Sequence, residues 1–405
     1  MKKNGKIVLF ILSLTIFSCA SPPPVREEPG MAEKEAPAAE AEAGGPPPVP
    51  EVPKADYLTI VAAGDNLYHD VMIRDGEEGD YEAAYTEIRP LVEKADVAFI
   101  NQETLLAGAD FGFSGYPRFN TPQALGRAIA AAGFNVVNHA TNHIMDKGEK
   151  AVFATMDFWD TIPGVSILGI HRSEDDRRRP LLVKKNNISL GFLSYTYGTN
   201  GIPVPADKPY LVSLIDTEIM AREIDALRPL CDVLVVSMHW GEEYLSVPSD
   251  AQKKLAAFLA EHQVDLVIGH HPHVIQPIEY IARPDGKSML CFYSLGNLIS
   301  AQARLPTLLG ALAFIRIEKI PAGPGETAAH IDFMEAGAIP VVTHYEKNYT
   351  NFRIYPLYTY TDELAAKHRV NQQKKELTMD YLTSLASAEL GGKEILAMPG
   401  PDSYR

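Results

Sequence analysis

The sequence predicts an α/β fold built on mixed sheets, and three observations carry that reading. Apolar runs of strand length alternate with helical segments from about residue 57 to residue 320. The chain is 46% hydrophobic and 22% charged over 405 residues, an ordinary globular composition with apolar mass for a sizeable core. Side chains able to bind metal sit at or just after the carboxyl ends of the apolar runs, where loops of open α/β sheets converge on ligands.

The elements follow in order. In MKKNGKIVLFILSLTIFSC, three lysines precede an apolar stretch too short to span a bilayer comfortably, the proportions of an export signal over residues 1–18. It ends in Ser18-Cys19, which resembles a bacterial lipoprotein signal with Cys19 lipidated. Residues 19–55, rich in Pro, Ala, Glu and Gly, read as an extended tether. The folded part begins near Asp56. YLTIVAAGD (57–65) reads as a strand running into a Gly-Asp turn. Residues 81–95 are helical with a break at Pro90, and DVAFINQE (96–103) is a strand. TPQALGRAIAAAG (121–133) reads as a helix with a Thr121 cap and a closing Gly133. A strand at 134–138 precedes NHATNH, and a helix starts after Asp146. VSILGI (165–170) is a short strand, and residues 181–196 form a hairpin around Asn186-Asn187. Helices at 216–229 and 249–263 alternate with buried strands at 232–241 and 264–271. KSMLCFYSLGN (287–297) and GALAFIRIEKI (310–320) read as a closing strand pair. Residues 321–405 read as a smaller C-terminal extension, with two apolar segments and a helix from about Asp362 to Leu390. Cys231 and Cys291 lie in apolar runs and read as buried thiols.

The net charge of −15 and the lack of a basic stripe argue against a nucleic-acid partner; the mixed run RSEDDRRRP reads as a solvated loop. The local signal is VIGHHPHVIQP, which holds three of the chain's 12 histidines within four positions. In a His-X-His segment alternate imidazoles can approach one centre, and Pro272 stiffens the spacing. Taken singly, Asp65 is a turn residue, Glu103 a loop carboxylate, Asn142 and His143 cap chemistry, and His239 a buried core histidine. Taken together, Asp65, Glu103, Asn142, His239, His271 and His273 supply the carboxylate, amide and imidazole ligands that one or two divalent ions require. His270 reads as a packing residue. His69, four residues past Asp65, is a further candidate ligand.

GDNLYHD, INQET, NHATNHIMDKG, HWGEEY, IGHHPHVIQ and YSLGN, in that order over roughly residues 57–320, resemble the CapA-type proteins of bacterial poly-γ-glutamate capsule synthesis. Their domain is similar to the calcineurin-like metallophosphoesterases, which implies a four-layer α/β/β/α sandwich. The resemblance implies that Asp65 and His273 bind one metal, that Glu103 bridges, and that Asn142, His239 and His271 bind the second. It implies His143 as the acid or anion-stabilising histidine, oriented by Asp146, and Tyr293, Ser294 and Asn297 at the rim. Two positions depart from the pattern. Leu67 stands where phosphoesterases carry the histidine of Asp-X-His, leaving the first metal one ligand short unless His69 substitutes. Glu103 replaces an Asp and lengthens the bridge by one methylene.

The expected protein is therefore an exported, membrane-anchored lipoprotein on the cell surface or periplasmic side. Its expected cofactor is a divalent ion (Mn, Zn, Fe or Mg), and its partners are polyglutamate or a related wall polymer and a polymer-synthesis complex. Two functions stand side by side: a metal-dependent hydrolase or transferase acting at a phosphorus or acyl centre, and a non-catalytic, metal-stabilised assembly factor. A metal-dependent amidohydrolase barrel fits less well, because such barrels carry His-X-His early in the chain.

Overall fold

The structure, a computed structural model, describes residues 54–78, 80–323, 329–395 and 397–400. Residues 1–18, expected as an export signal, Cys19 and nearly all of the stretch expected as a tether lie outside the described residues. The strands are β1 (Asp56–Asn66), β2 (Val97–Gln102), β3 (Val136–Asn138), β4 (Ser166–Leu168), β5 (Leu181–Lys185), β6 (Ile188–Thr196), β7 (Val233–His239), β8 (Leu266–His270), β9 (Ile275–Ala282), β10 (Ser288–Leu295), β11 (Asn297–Ile299), β12 (Leu309–Ile320), β13 (His330–Glu346) and β14 (Thr350–Pro356). One sheet has the order β14-β13-β12-β1-β2-β3-β4, with β11 joined to the end of β1; the other has the order β5-β6-β7-β8-β10-β9. Both are mixed: the first is parallel from β1 to β4 and antiparallel from β1 to β14, and the second has a parallel centre with an antiparallel pair at each edge. No helix among the described residues is long and apolar enough to cross a membrane.

The period-2 alternation of β7 shows how the layers stack. Val233 and Val235 join an apolar cluster with the strands of the first sheet. Leu234, Val236 and Met238 join a second cluster with Met220, Ile224 and Leu227 of the helix Thr217–Leu227 and with Ala256 and Leu259 of the helix Asp250–Glu261. A strand buried on both faces is the arrangement that parallel sheets require. On the far side of the first sheet lie Leu125 and Ile129 of the helix Gln123–Ala131 and Phe158 and Trp159 of the helix Glu149–Trp159. The result is helix, sheet, sheet, helix, the four-layer sandwich. Fully burying each such aliphatic side chain contributes roughly 1.5–3 kcal/mol.

Local chemistry explains several boundaries. Asn186 and Asn187 both take positive φ (48° and 58°), the two-residue turn that matches strand twist, and Lys185 pairs with Ile188 across it. Ser249 and Gln252 form a reciprocal capping box.

Other boundaries differ from expectation. Gly64 is no turn: β1 continues to Asn66 through an irregularity, and the Asp65 N–H donates to Gly296 O at 2.9 Å. A Cβ at Gly64 would lie 2.0 Å from that same carbonyl, so the absence of a side chain lets β1 reach the Gly296 backbone. Thr121 does not cap its helix. Its hydroxyl pairs with Thr104 instead, and Pro122 is the N-cap without a side-chain bond. The closing strand pair separates: 288–295 lies in the second sheet and 309–320 in the first. The single helix expected over 362–390 is three pieces, Asp362–Lys367, Arg369–Gln372 and Met379–Leu390. The run RSEDDRRRP is not wholly a solvated loop. Ser173 caps a short helix at 174–177, and Arg177, 9% exposed at its side chain, pairs with Glu223 at 2.7 Å.

The segment expected as an extension continues the first sheet, because β13 pairs with β12 along nearly its full length. Lys393 Nζ donates to Ile278 O of β9 at 3.0 Å, tying this segment to the second sheet's edge strand.

Candidate metal centre

The strand ends deliver their polar residues to one place. Asp65 lies near the end of β1, Glu103 one residue past β2, Asn142 and His143 in the turn after β3, His239 at the end of β7, and His271 and His273 just past β8. Asp65, Glu103, His239, His271 and His273 are at most 3% exposed, and Asn142 and His143 are 2% and 6% exposed. β7 explains one placement. His239 shares the parity of Val233 and Val235, so its ring points between the sheets rather than at the outer helices.

Three groups of donor atoms converge, each within 4.8 Å of one another: Asp65, Glu103 and His273; Glu103, His239 and His271; and Glu243, His271 and His273. Glu103 belongs to two of them. Its two carboxylate oxygens are buried without a hydrogen-bond partner among the described residues, as is His271 Nδ1. The nearest imidazole nitrogens, His239 Nε2 and His273 Nε2, stand 3.9 Å from Glu103 Oε1, and a buried carboxylate without hydrogen bonds is costly unless a cation compensates it. That observation, with the mixed carboxylate and imidazole set, fits a divalent ion.

The surroundings orient these ligands. His273 Nδ1 lies 3.0 Å from Asp65 Oδ2 and 3.1 Å from Asn297 Oδ1. Asn297 is itself held through Nδ2 by Ser300, Gln302 and the Thr307 carbonyl. Asn101 Nδ2 donates to Asp65 Oδ1 at 2.8 Å, and Asn138 Nδ2 donates to Asn101 Oδ1 at 2.7 Å. His239 Nε2 lies 2.9 Å from Asn142 Oδ1. His271 and His273 take positive φ (96° and 59°) on either side of Pro272. Holding two non-glycine residues there costs roughly 1–2 kcal/mol each, and the turn aims both rings into the cluster.

His143 stands beside the cluster. Its Nδ1 is 2.8 Å from Asp146 Oδ2, which also accepts the Phe119 N–H at 2.7 Å. The Phe119 ring meets the His143 ring edge-on at 4.6 Å. Asn200 Oδ1 accepts from Asn142 at 3.2 Å. Asn142, His143, Asp146 and Asn200, with Tyr116, Arg118 and Glu243, line a cavity of about 260 Å³.

Not every expected residue is at the site. His69 belongs to none of the three groups; its Nδ1 accepts the Ala301 N–H at 3.4 Å and its ring packs edge-on against Phe119. Tyr293 is not at the rim. It has the parity of Met289 and Cys291, and its ring stacks on Trp240 in the outer apolar cluster. Ser294 is not at the rim either: its hydroxyl donates to Val274 O and accepts the Gly296 N–H, a structural role. Of the three, only Asn297 reaches the cluster. His270 packs, stacked on Phe99 at 5.7 Å.

Two contributors were not read from sequence. Glu243 follows His239 by four residues, and the Tyr244 N–H donates to Pro272 O at 2.8 Å, which brings its loop over the His271–His273 turn. Asn101 precedes Glu103 by two residues, so strand alternation puts both on one side. A carboxylate just past a strand-end histidine and a polar residue in phase with Glu103 were the available signals.

Electrostatics divide the histidines. Burial, with the other histidines nearby, holds His271 down at about 3 and His239 well below its ordinary value. Burial also opposes charge on His273, yet Glu103 and Asp65 raise it to about 9. Burial raises Glu103, with the Asp65 charge adding to it. Below pH 9 the metal-free site thus holds a proton on His273 that a cation must displace. Metal binding at pH 7 is expected to release at least one proton, and affinity is expected to rise with pH until His273 has titrated. Titration calorimetry in buffers of different ionisation enthalpy measures this; no released proton at pH 7 would contradict it.

A family model described as "Bacterial capsule synthesis protein PGA_cap" matches residues 59–302. "PGA biosynthesis protein CapA" of Bacillus subtilis (strain 168) is 31% identical over 217 residues, 53% of this chain and 55% of that protein. "Capsule biosynthesis protein CapA" of Bacillus anthracis is 26% identical over 260 residues, 63% of this chain and 60% of that protein. The chain thus spans little more than half the length of these relatives. Among solved structures, the NAD nucleotidase (NadN) of Haemophilus influenzae overlaps with a TM-score of 0.41 at 10% identity, covering 83% of this chain and 60% of that one. The fold itself rests on the strand order and layer packing above.

Proposed function

The chain belongs to the bacterial capsule synthesis protein PGA_cap family, and from that premise we propose that it serves the synthesis, export or anchoring of poly-γ-glutamate, using a divalent-metal site of hydrolase or transferase type. The observation that carries the metal reading is Glu103, buried, without a hydrogen bond at either oxygen among the described residues and shared by two donor groups. Asp65, Glu103, Asn142, His239, His271 and His273 would hold the ion or ions, with Glu243 at the open side. A divalent ion held there would act as a Lewis acid and make water nucleophilic near neutral pH.

The chain's own residues supply the rest. Asp146 fixes the His143 ring through Nδ1, which leaves Nε2 to hold or give a proton to a substrate atom. Asn297 and Asp65 orient the His273 ring, and the Tyr197 ring, 4.6 Å from that of His271, walls the cluster from solvent. Export and anchoring through Cys19 belong to the same proposal and rest on the sequence of residues 1–55. A second reading, a metal-stabilised assembly factor without turnover, draws support from the Asp65 end of the site. There Leu67 is buried and His69 stands outside the donor groups, so Asp65, Glu103 and His273 are the only histidine, cysteine or carboxylate donors of that group among the described residues. A barrel is excluded by the two open sheets.

Metal content of the purified protein, beside a His271→Ala, His273→Ala double variant, tests the proposal. Wild type is expected to hold one or two equivalents of divalent metal per chain and the variant to lose them. Wild type that holds none under metal-replete conditions would overturn the metal reading. Cleavage of γ-linked glutamate oligomers or of phosphoesters by the loaded protein separates the enzyme from the assembly factor.

A further inference from the structure

A chain with a net charge of −15 repels a polyanion at long range, so any anionic polymer it handles must be met by local cations at the site. Two arginines hold that position. Arg118 lines the cavity that Asn142, His143, Asp146 and Asn200 share. Its backbone is held beside His143: the next residue, Phe119, donates its N–H to Asp146 and packs its ring on His143, and Ser114 Oγ donates to Arg118 O. The Arg118 side chain is exposed and makes no ion pair or hydrogen bond among the described residues.

Arg304 approaches from the other end of the cluster. Its guanidinium carbon lies 4.0 Å from the centre of the Tyr244 ring, and that ring lies 6.0 Å from the His273 ring. Gln302 Nε2 donates to the Tyr244 hydroxyl at 3.4 Å and its Oε1 accepts from Asn297, which contacts His273, so the platform under Arg304 is tied to the ligand set. Arg304 also forms no ion pair among the described residues, which leaves its donors open to solvent. The opposing charge at this mouth is Glu243; Asp146 is already engaged by His143 and Phe119.

We propose that Arg118 and Arg304 are specificity-determining residues that take carboxylates of one anionic polymer strand on the His143 side and the His273 side of the cluster, so that the strand crosses the site rather than entering it by one end. Guanidinium groups suit this because their forked donors match a carboxylate. A strand with a carboxylate on every unit offers one to each arginine while an uncharged backbone bond lies between them. This inference rests on the polymer proposed above, not on turnover.

The test is binding of a fluorescently labelled decamer of γ-linked glutamate to the full chain, read by anisotropy with Mn²⁺ present and again in EDTA. Arg118→Gln and Arg304→Gln are each expected to weaken binding about fivefold, the range of a solvent-accessible charged pair, and the double variant about 25-fold if the two act independently. The salt dependence should become shallower with each substitution. Arg222→Gln, an exposed arginine on the helix Thr217–Leu227 away from the cluster, should leave binding unchanged. All three side chains are exposed, so folding is not at stake.

Variants that bind as wild type does would overturn the inference, as would wild type that retains metal but does not bind the decamer; the metal reading would survive both results. Arginine-dependent binding by a chain that holds no metal even under metal-replete conditions would overturn the metal reading and keep this one. Tighter binding of a glycerol-phosphate oligomer than of the glutamate decamer would overturn the carboxylate assignment.

Discussion

Glu103→Gln is expected to strip metal from the whole centre and to lower any turnover by more than about 100-fold. The reason is position. Glu103 is 1% exposed, stands in two of the three donor groups, and has no hydrogen bond to either oxygen among the described residues. Glutamine keeps the shape and removes the charge, so metal content reports the charge alone. Stability should move in opposite directions in the two states. In EDTA the variant should be more stable than wild type by about 1–3 kcal/mol, because a buried carboxyl that makes no hydrogen bond, and meets His239 and His273 only at 3.9 Å, has been replaced by a neutral amide. With metal present wild type should be the more stable, since an ion that binds only the native state stabilises it. Denaturant unfolding with and without EDTA measures both signs. A variant less stable than wild type in EDTA would mean that Glu103 is a structural carboxylate.

His143→Ala is expected to lower turnover by about 100- to 10,000-fold while metal content stays at the wild-type value. His143 lies outside the three donor groups, so its loss should not release the ion. Asp146→Asn is the companion variant. It keeps an acceptor for the Phe119 N–H and for His143 Nδ1 but removes the carboxylate charge beside the ring. Its expected signature is a smaller loss of rate than in His143→Ala, with metal content unchanged. Unchanged rates in both variants would make the pair structural. A metal-loaded wild type that cleaves neither class of substrate would place the protein with the assembly factors.

Much of this was legible before the fold was known. Continuous apolar runs of strand length placed β1, β2, β7 and β8, and the Asn186-Asn187 turn is local chemistry that any context preserves. Asp65, Glu103, Asn142, His239, His271 and His273 could be named because each follows an apolar strand, and parallel strands all end on one side of a sheet. The errors have one cause. Gly64 read as a turn because its conflict is with Gly296, more than 200 residues away in sequence; Thr121 read as a cap because its partner Thr104 lies in another loop.

What the sequence by itself determined is therefore the class of fold and the kind of ligand each strand end carries, since both follow from side-chain type and local periodicity. Tertiary structure alone decided which of those ends meet. Packing of the two sheets turned Tyr293 toward the outer helices and His239 inward, and sent 288–295 and 309–320 to opposite sheets. It also laid Glu243 and Tyr244 over the His271–His273 turn and brought β13 and β14 into the first sheet. Each of these depends on which face of a strand a distant element covers, and a strand's own residues do not carry that information when both of its faces are apolar.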